Sequence, residues 1–265
     1  MTSSDDSKSL SQQRYTRFAE GYVTSKTHAK GQELDRLIEI AQPQPDWAAL
    51  DVATGGGHTA LKFAPCVAHV TATDITPRML ERAEVFISSK GVGNVTFEPA
   101  DAEDLPFADG AFDLVTCRIA PHHFPNPPRF LQESARVLKA GGLLLVQDHA
   151  LPEDESAART IDTFERLRDP SHNRAFSESE WRSMFEAAGL SVEHTEQVVK
   201  AHRLYPWAER QGCTPEVIQR LIALVEKAPE AVTNWMQPRD FGTRDANFCN
   251  HHLIIAGRKA GRDPS

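Results

Sequence analysis

Long apolar runs are absent from this sequence. Nowhere do 18 apolar residues follow one another, so no segment reads as a membrane span. Cysteine is scarce: Cys66, Cys117, Cys213 and Cys249 lie scattered along 265 residues without a C-x-x-C pair. That usage argues against a disulfide framework and fits reduced thiols in a cytoplasmic protein. Basic charge is in deficit, with 29 Lys+Arg against 37 Asp+Glu and a net charge of -8. The deficit argues against broad nucleic-acid or anionic-membrane binding, because both need a basic face to offset phosphate. The start of the chain shows neither a basic n-region nor an apolar h-region, so it reads as soluble and not exported. Internal repeats and low-complexity runs are also missing.

What is present is ordinary for a globular chain, with 40% hydrophobic and 25% charged residues. The length suits one sizeable core and one elaborated domain. Residues 1–10 are small and polar and read as a disordered tail. Over 11–45, Tyr15, Phe18, Ala19 and Tyr22, then Leu34, Leu37, Ile38 and Ala41, recur at helical spacing with a break near 21–30. This predicts a helical cap of two helices. A core follows over 46–200, in which β-branched or apolar strands (48–54, 67–73, 94–98, 112–118, 143–147) alternate with helices. Glycine and proline punctuate the change from one to the next. Such alternation predicts a parallel sheet covered on both faces. Residues 201–247 read as a helical insert and 248–258 as a last strand, with 259–265 a tail; the two late strands lack a parallel crossover and predict an antiparallel edge.

The chain is organised around Leu50-Asp-Val-Ala-Thr-Gly-Gly-Gly-His-Thr-Ala60, an apolar strand that turns through three glycines into a helix. Glycine allows positive φ and close approach of a ligand, and the helix start favours negative charge. In an open parallel sheet, ligands bind outside the carboxyl ends of the strands. Four features fall there in succession. Gly55 and Gly57 follow strand one. Asp74 ends strand two, where an acid can accept both hydroxyls of a ribose. Asp101 follows strand three, where an acid can accept a purine amino group. Arg118 to Phe124 follows strand four. Each alone is weak; in sequence they point to a nucleoside ligand.

In order and wording these motifs resemble the class I S-adenosylmethionine-dependent methyltransferases, in particular the branch with quinone-biosynthesis C-methyltransferases. The resemblance rests on residues 50–57, 72–80 (Ala-Thr-Asp-Ile-Thr-Pro-Arg-Met-Leu), 101–107 (Asp-Ala-Glu-Asp-Leu-Pro-Phe), 112–118 and 137–144. It implies a three-layer α/β sandwich of Rossmann-like type, with a mostly parallel seven-stranded sheet and an antiparallel last strand. It also implies S-adenosyl-L-methionine as cofactor. By that likeness Asp51 and the turn with Ala53, Gly55 and Gly57 face the methionine part, Asp74 the ribose, Ile75 and Met79 the adenine face, and Asp101 with Ala102 the adenine edge. Arg118 joins this set. The family's first glycine is Ala53 here, which leaves slightly less room.

The acceptor side is less explicit. His122 and His123 stand where an acceptor would meet the cofactor, and either suits a base or an orienting donor; satisfying backbone groups in a proline-rich loop is an equal reading. Asp148-His149 is a second pair, read as structural. Tyr22 and His28 in the helical cap, with Trp207 and Trp235 in the insert, are candidates to wall a small apolar or aromatic acceptor. Cys249-Asn-His-His252 is rejected as a metal site, because neighbours on a strand point to opposite faces. The reading is methyl transfer to a carbon, oxygen or nitrogen of a small molecule, with no metal and no nucleic-acid partner. Gly55-x-Gly57-x-x-Ala60 with Asp74 also fits an NAD(P) oxidoreductase, and a binding module without turnover is a third alternative.

Overall fold

Alternating side chains along buried strands build this molecule. The computed structural model describes residues 4–23 and 32–261, with the side chains of 6–16 and 33–261. Helices α1 (Ser4–Val23) and α2 (Gln32–Ala41) lead into β1 (Ala48–Val52), α3 (His58–Phe63), β2 (His69–Asp74), α4 (Pro77–Ser88) and β3 (Val95–Pro99). Next come β4 (Phe112–Arg118), α5 (Pro127–Val137), β5 (Leu138–Leu151), α6 (Glu155–Arg168), β6 (Phe176–Ser177), α7 (Glu178–Ala187) and β7 (Leu190–Arg203). The chain closes with α8 (Leu204–Glu209), α9 (Pro215–Glu226), α10 (Glu230–Met236) and β8 (Asn247–Lys259).

The strands line up as β3-β2-β1-β4-β5-β8-β7, and the short β6 pairs with β5 off this path. Pairing is parallel from β3 to β5, and β8 runs antiparallel to both of its neighbours. Hence the antiparallel last strand lies inside the sheet, and β7 takes the edge that the sequence assigned to it. Strand order reverses at β1, which pairs β2 on one side and β4 on the other, opening the crevice expected at a switch point.

Successive side chains divide between two cores, as a pleat requires. Leu50, Val115, Leu144 and Ile255 face Phe130 and Leu131 of α5 and Trp181 and Phe185 of α7. Ala49, Leu114, Leu145 and Ile254 face Leu34 and Leu37 of α2, Phe63 of α3 and Ile87 of α4. A third cluster joins Phe164 of α6, Trp207 of α8, Ile222 of α9, Met236 of α10 and Phe248 of β8. None of the described helices is long and apolar enough to cross a membrane.

The segment read as a disordered tail is helical from Ser4. The reason is tertiary: Lys8 forms ion pairs across the strand ends, Gln12 Nε2 donates to the Ile75 carbonyl at 2.8 Å, and Ser11 is buried. β5 extends to Leu151 because β8 and β6 both pair with its far end.

Candidate active site

The β1 turn reaches the crevice in a strained conformation. Ala53 has φ 52° and Gly55 φ 55°, both in the left-handed region. A Cβ on Gly55 would meet only Met79 Cε at 3.6 Å, so conformation rather than crowding calls for glycine there. Gly57 differs: its Cβ would fall 3.0 Å from Ile87 Cδ1 and 3.1 Å from Ala83 Cβ, which makes it the packing contact between the turn and α4.

Asp74 lies at the end of β2 with each carboxylate oxygen accepting one backbone N–H, Oδ2 from Gly55 at 3.0 Å and Oδ1 from Thr76 at 2.8 Å. The Thr76 hydroxyl donates to it as well, so of about four acceptor positions roughly one is left toward the crevice. Burial pushes its pKa up to about 6 despite those bonds. Asp51 is also driven to about 6 by burial, but its oxygens are taken by Thr54 Oγ1 at 2.6 Å and Thr116 Oγ1 at 2.8 Å.

An open cavity extends along these strand ends. Ala53, Gly55, Asp74, Ile75, Met79, Asp101, Ala102, Arg118 and His123 line it, so most of the residues singled out in the sequence meet in one hollow. Three do not. Asp51 lies behind the wall, fastened by its two threonines; Gly57 is used up in packing; His122 faces inward to Asp148.

Arg118 is half-buried, donates Nε–H to Thr59 Oγ1 at 3.1 Å, and has its pKa lowered by desolvation against the pull of Glu33 and Asp51. At the other end, Lys8 Nζ of α1 bridges Asp101 Oδ2 at 2.6 Å and Glu103 Oε2 at 2.7 Å. Burial works against that ammonium, but the two carboxylates outweigh it and raise its pKa.

The opposite wall comes from α1 and the loop after β4. His123 Nδ1 faces the Ser171 carbonyl at 2.9 Å; a carbonyl only accepts, so Nδ1 carries the hydrogen and Nε2 is an acceptor. Tyr15 Oη donates to that Nε2 at 2.5 Å. Tyr15, Ile119, Ala120, Phe124 and Pro125 complete an apolar end of the cavity. Burial and the neighbouring His122 lower the His123 pKa to about 3.

The expected acceptor residues fare differently. Tyr22 and His28 lie outside the residues whose side chains are described. Trp207 is stacked on Phe164 at 5.2 Å and covered by Arg168, and Trp235 stacks on His251 at 3.9 Å. Neither lines the cavity, because the insert consumes its aromatics in its own core. The residues that sequence reasoning missed are Lys8, Ser11 and Tyr15. Tyr15 looked like one more apolar helix position, and only the fold brings it to His123.

Known proteins match this architecture. The methyltransferase domain family covers residues 50–146. The uncharacterized methyltransferase YcgJ of Bacillus subtilis (strain 168) is 36% identical over 246 residues, which is 92% of this chain and 97% of that protein. The chain belongs to the methyltransferase family. The crystal structure of the YcgJ protein superposes with a TM-score of 0.83 at 35% identity, over 86% of this chain and 98% of that one. The ubiquinone/menaquinone biosynthesis C-methyltransferase UbiE of Ectopseudomonas mendocina (strain ymp) is 38% identical over 131 residues, 48% of this chain and 51% of that enzyme. This methyltransferase uses S-adenosylmethionine as methyl donor, and the dinucleotide alternative falls away.

The cavity's donor set fits that cofactor. Asp74 keeps an acceptor position for a ribose hydroxyl, Met79 and Ile75 supply an apolar face beside it, and the half-buried Arg118 guanidinium offers a counter-charge for a carboxylate.

Proposed function

We propose that this methyltransferase acts on an oxygen, nitrogen or carbon of a small apolar or aromatic molecule held between α1 and the loop 118–125. The observation that carries the reading is the Tyr15–His123 hydrogen bond at the apolar end of the cavity. Because Tyr15 gives its hydrogen to His123, its oxygen meets an O–H or N–H on the nucleophile as an acceptor and not as a donor. That bond fixes the nucleophile's position, and Ile119, Ala120 and Phe124 supply the apolar surface around it. With its pKa near 3, His123 is too weak a base to store the acceptor's proton, so it orients Tyr15.

Bound S-adenosylmethionine supplies an electrophilic methyl on its sulfonium sulfur, which leaves alignment as the chain's task. In this reading Asp74 holds the ribose hydroxyls, Ile75 and Met79 flank the adenine, Asp101 and Ala102 meet its edge, and Ala53, Gly55 and Arg118 hold the methionine part.

Incubation with methyl-labelled cofactor and a panel of phenols, quinols and amines tests the proposal. Label should pass to at least one phenol or quinol, and Tyr15→Phe should lower kcat about tenfold or more while cofactor affinity stays within about twofold. Cofactor binding without transfer to any member of the panel would point to a binding module instead.

A further inference from the structure

The pair His122 and Asp148 is left over once the cavity is accounted for. The Asp148 carboxylate, at the far end of β5, spends both oxygens on one residue. Oδ1 lies 2.6 Å from His122 Nδ1, and Oδ2 accepts the His122 backbone N–H at 2.7 Å. The His122 carbonyl is held too, accepting from Asn173 N at 2.8 Å and Arg174 N at 3.1 Å. Ring and backbone are therefore clamped from two elements, and the His123 ring packs on the clamped imidazole with centroids 4.1 Å apart.

We infer that Asp148 and His122 are positioning residues for the methyl acceptor: the carboxylate fixes the His122 ring as a cation, and this ring holds His123 neutral and turned toward the Tyr15 hydroxyl. The inference rests on the Tyr15–His123 reading above.

The charges around each ring agree with it. Burial opposes a charge on His122, yet Asp148, with Asp169 and Glu165 beyond it, outweighs burial and raises its pKa. The His149 ring lies 4.4 Å and the His172 ring 5.2 Å from that of His122, centroid to centroid. His123 sees that cation from its own loop, Tyr15 from α1, and Ser171, Asp169 and His172 from the segment after α6. Asp169 attracts a proton to His123, but Arg14 Nε of α1 sits 2.8 Å from Asp169 and draws on its charge. A second proton so close to the His122 cation is opposed by both burial and charge, so Nε2 stays open for Tyr15.

Histidine-labelled protein, titrated by NMR from about pH 8 to about pH 5, tests this directly. In the wild type, His122 should remain cationic at pH 7 and His123 should remain the neutral Nδ1–H form throughout. In Asp148→Asn, His122 loses its counter-ion and becomes neutral, and His123 should then begin to ionise at the acid end of the titrated window, with burial still holding it below an ordinary imidazole. The panel member that turns over fastest should acquire an acid limb in kcat near the acid end of that window, while the KM for S-adenosylmethionine changes less than about twofold. A merely structural Asp148 would lower thermal stability without moving either titration. If His123 stays neutral in Asp148→Asn, or if His122 is neutral at pH 7 in the wild type, the inference is overturned. The wild-type titration decides alone should the variant not fold. Failure of the Tyr15 reading would show separately, as an unchanged kcat in Tyr15→Phe beside an altered His123 titration.

Discussion

The two walls of the cavity are built in contrasting ways. The wall at the ends of β1 to β3 is local: each residue follows its own strand by a few positions, and backbone N–H groups of Gly55 and Thr76 hold the Asp74 carboxylate. The wall opposite is assembled from distant parts, with Tyr15 from α1, His123 from the β4 loop and the Ser171 carbonyl from beyond α6. Local construction suits a ligand that is always the same, since the motif travels as a unit. Assembly from separate elements lets one wall change while the other stands. The walls also differ in charge logic: burial drives the acids of the first toward the neutral form and most histidines behind the second toward theirs.

Removing Asp74 breaks the first wall and should give the largest effect. Asp74→Ala should weaken S-adenosylmethionine binding by about 100-fold or more by calorimetric titration, since a charge-assisted acceptor is lost. It should also lower the melting temperature, because the Gly55 and Thr76 N–H groups lose their partner. An unchanged dissociation constant would count against the ribose assignment, and Tyr15→Phe should leave that constant nearly alone.

The charge contrast predicts opposite pH dependences. Asp51 and Asp74 have folded pKa values raised to about 6, so their stabilising contribution is whole below about pH 3.8 and is lost as pH rises through about 6. His123, His202, His149 and His252 are depressed, the first two to about 3 and about 4. Their contribution is whole above about pH 6.5 and is lost as pH falls toward those values. Five depressed histidines, His251 among them, outnumber the raised carboxylates Asp51, Asp74 and Glu165, so the ligand-free protein should lose stability steadily from pH 6.5 to 4.5. A melting temperature that climbs over that interval would refute the histidine side of the comparison. The extra stability given by saturating S-adenosylmethionine should itself shrink below about pH 6, as Asp74 takes a proton.

The same contrast decides what could be read without coordinates. Alternation of strands and helices, the glycine turn, Asp74 and Asp101 were legible because period, turn chemistry and spacing act within about 20 residues. Asp51 was legible as an acid at a strand end, but its capture by Thr54 and Thr116 joins two strands and leaves no local mark. His123 stood out as a residue type, whereas its partner Tyr15, 108 positions away, did not. Trp207 and Trp235 misled for the same reason: an aromatic on a helix says that it will be buried, not against what. The helix over residues 4–10 was missed because its stability comes from Lys8, Ser11 and Gln12 docking on the core, not from its own composition.

Ala53 provides the smallest and most local test. The family's glycine position here carries a methyl group at φ 52°, a conformation that costs a non-glycine residue about 1 kcal/mol or slightly more. Replacement by glycine removes that strain but adds freedom to the unfolded chain, worth about 0.5–1 kcal/mol in the other direction. The two nearly cancel, so Ala53→Gly should shift the melting temperature by no more than about 2 °C. Its effect on the ligand should be one-sided, because Ala53 lines the cavity and loss of its methyl adds room there. Calorimetric titration should therefore show cofactor affinity equal to the wild type or up to about threefold tighter, with acceptor KM unmoved. A clear loss of affinity would mean that the methyl group makes a contact the turn depends on. The first wall would then share the second wall's dependence on particular side chains.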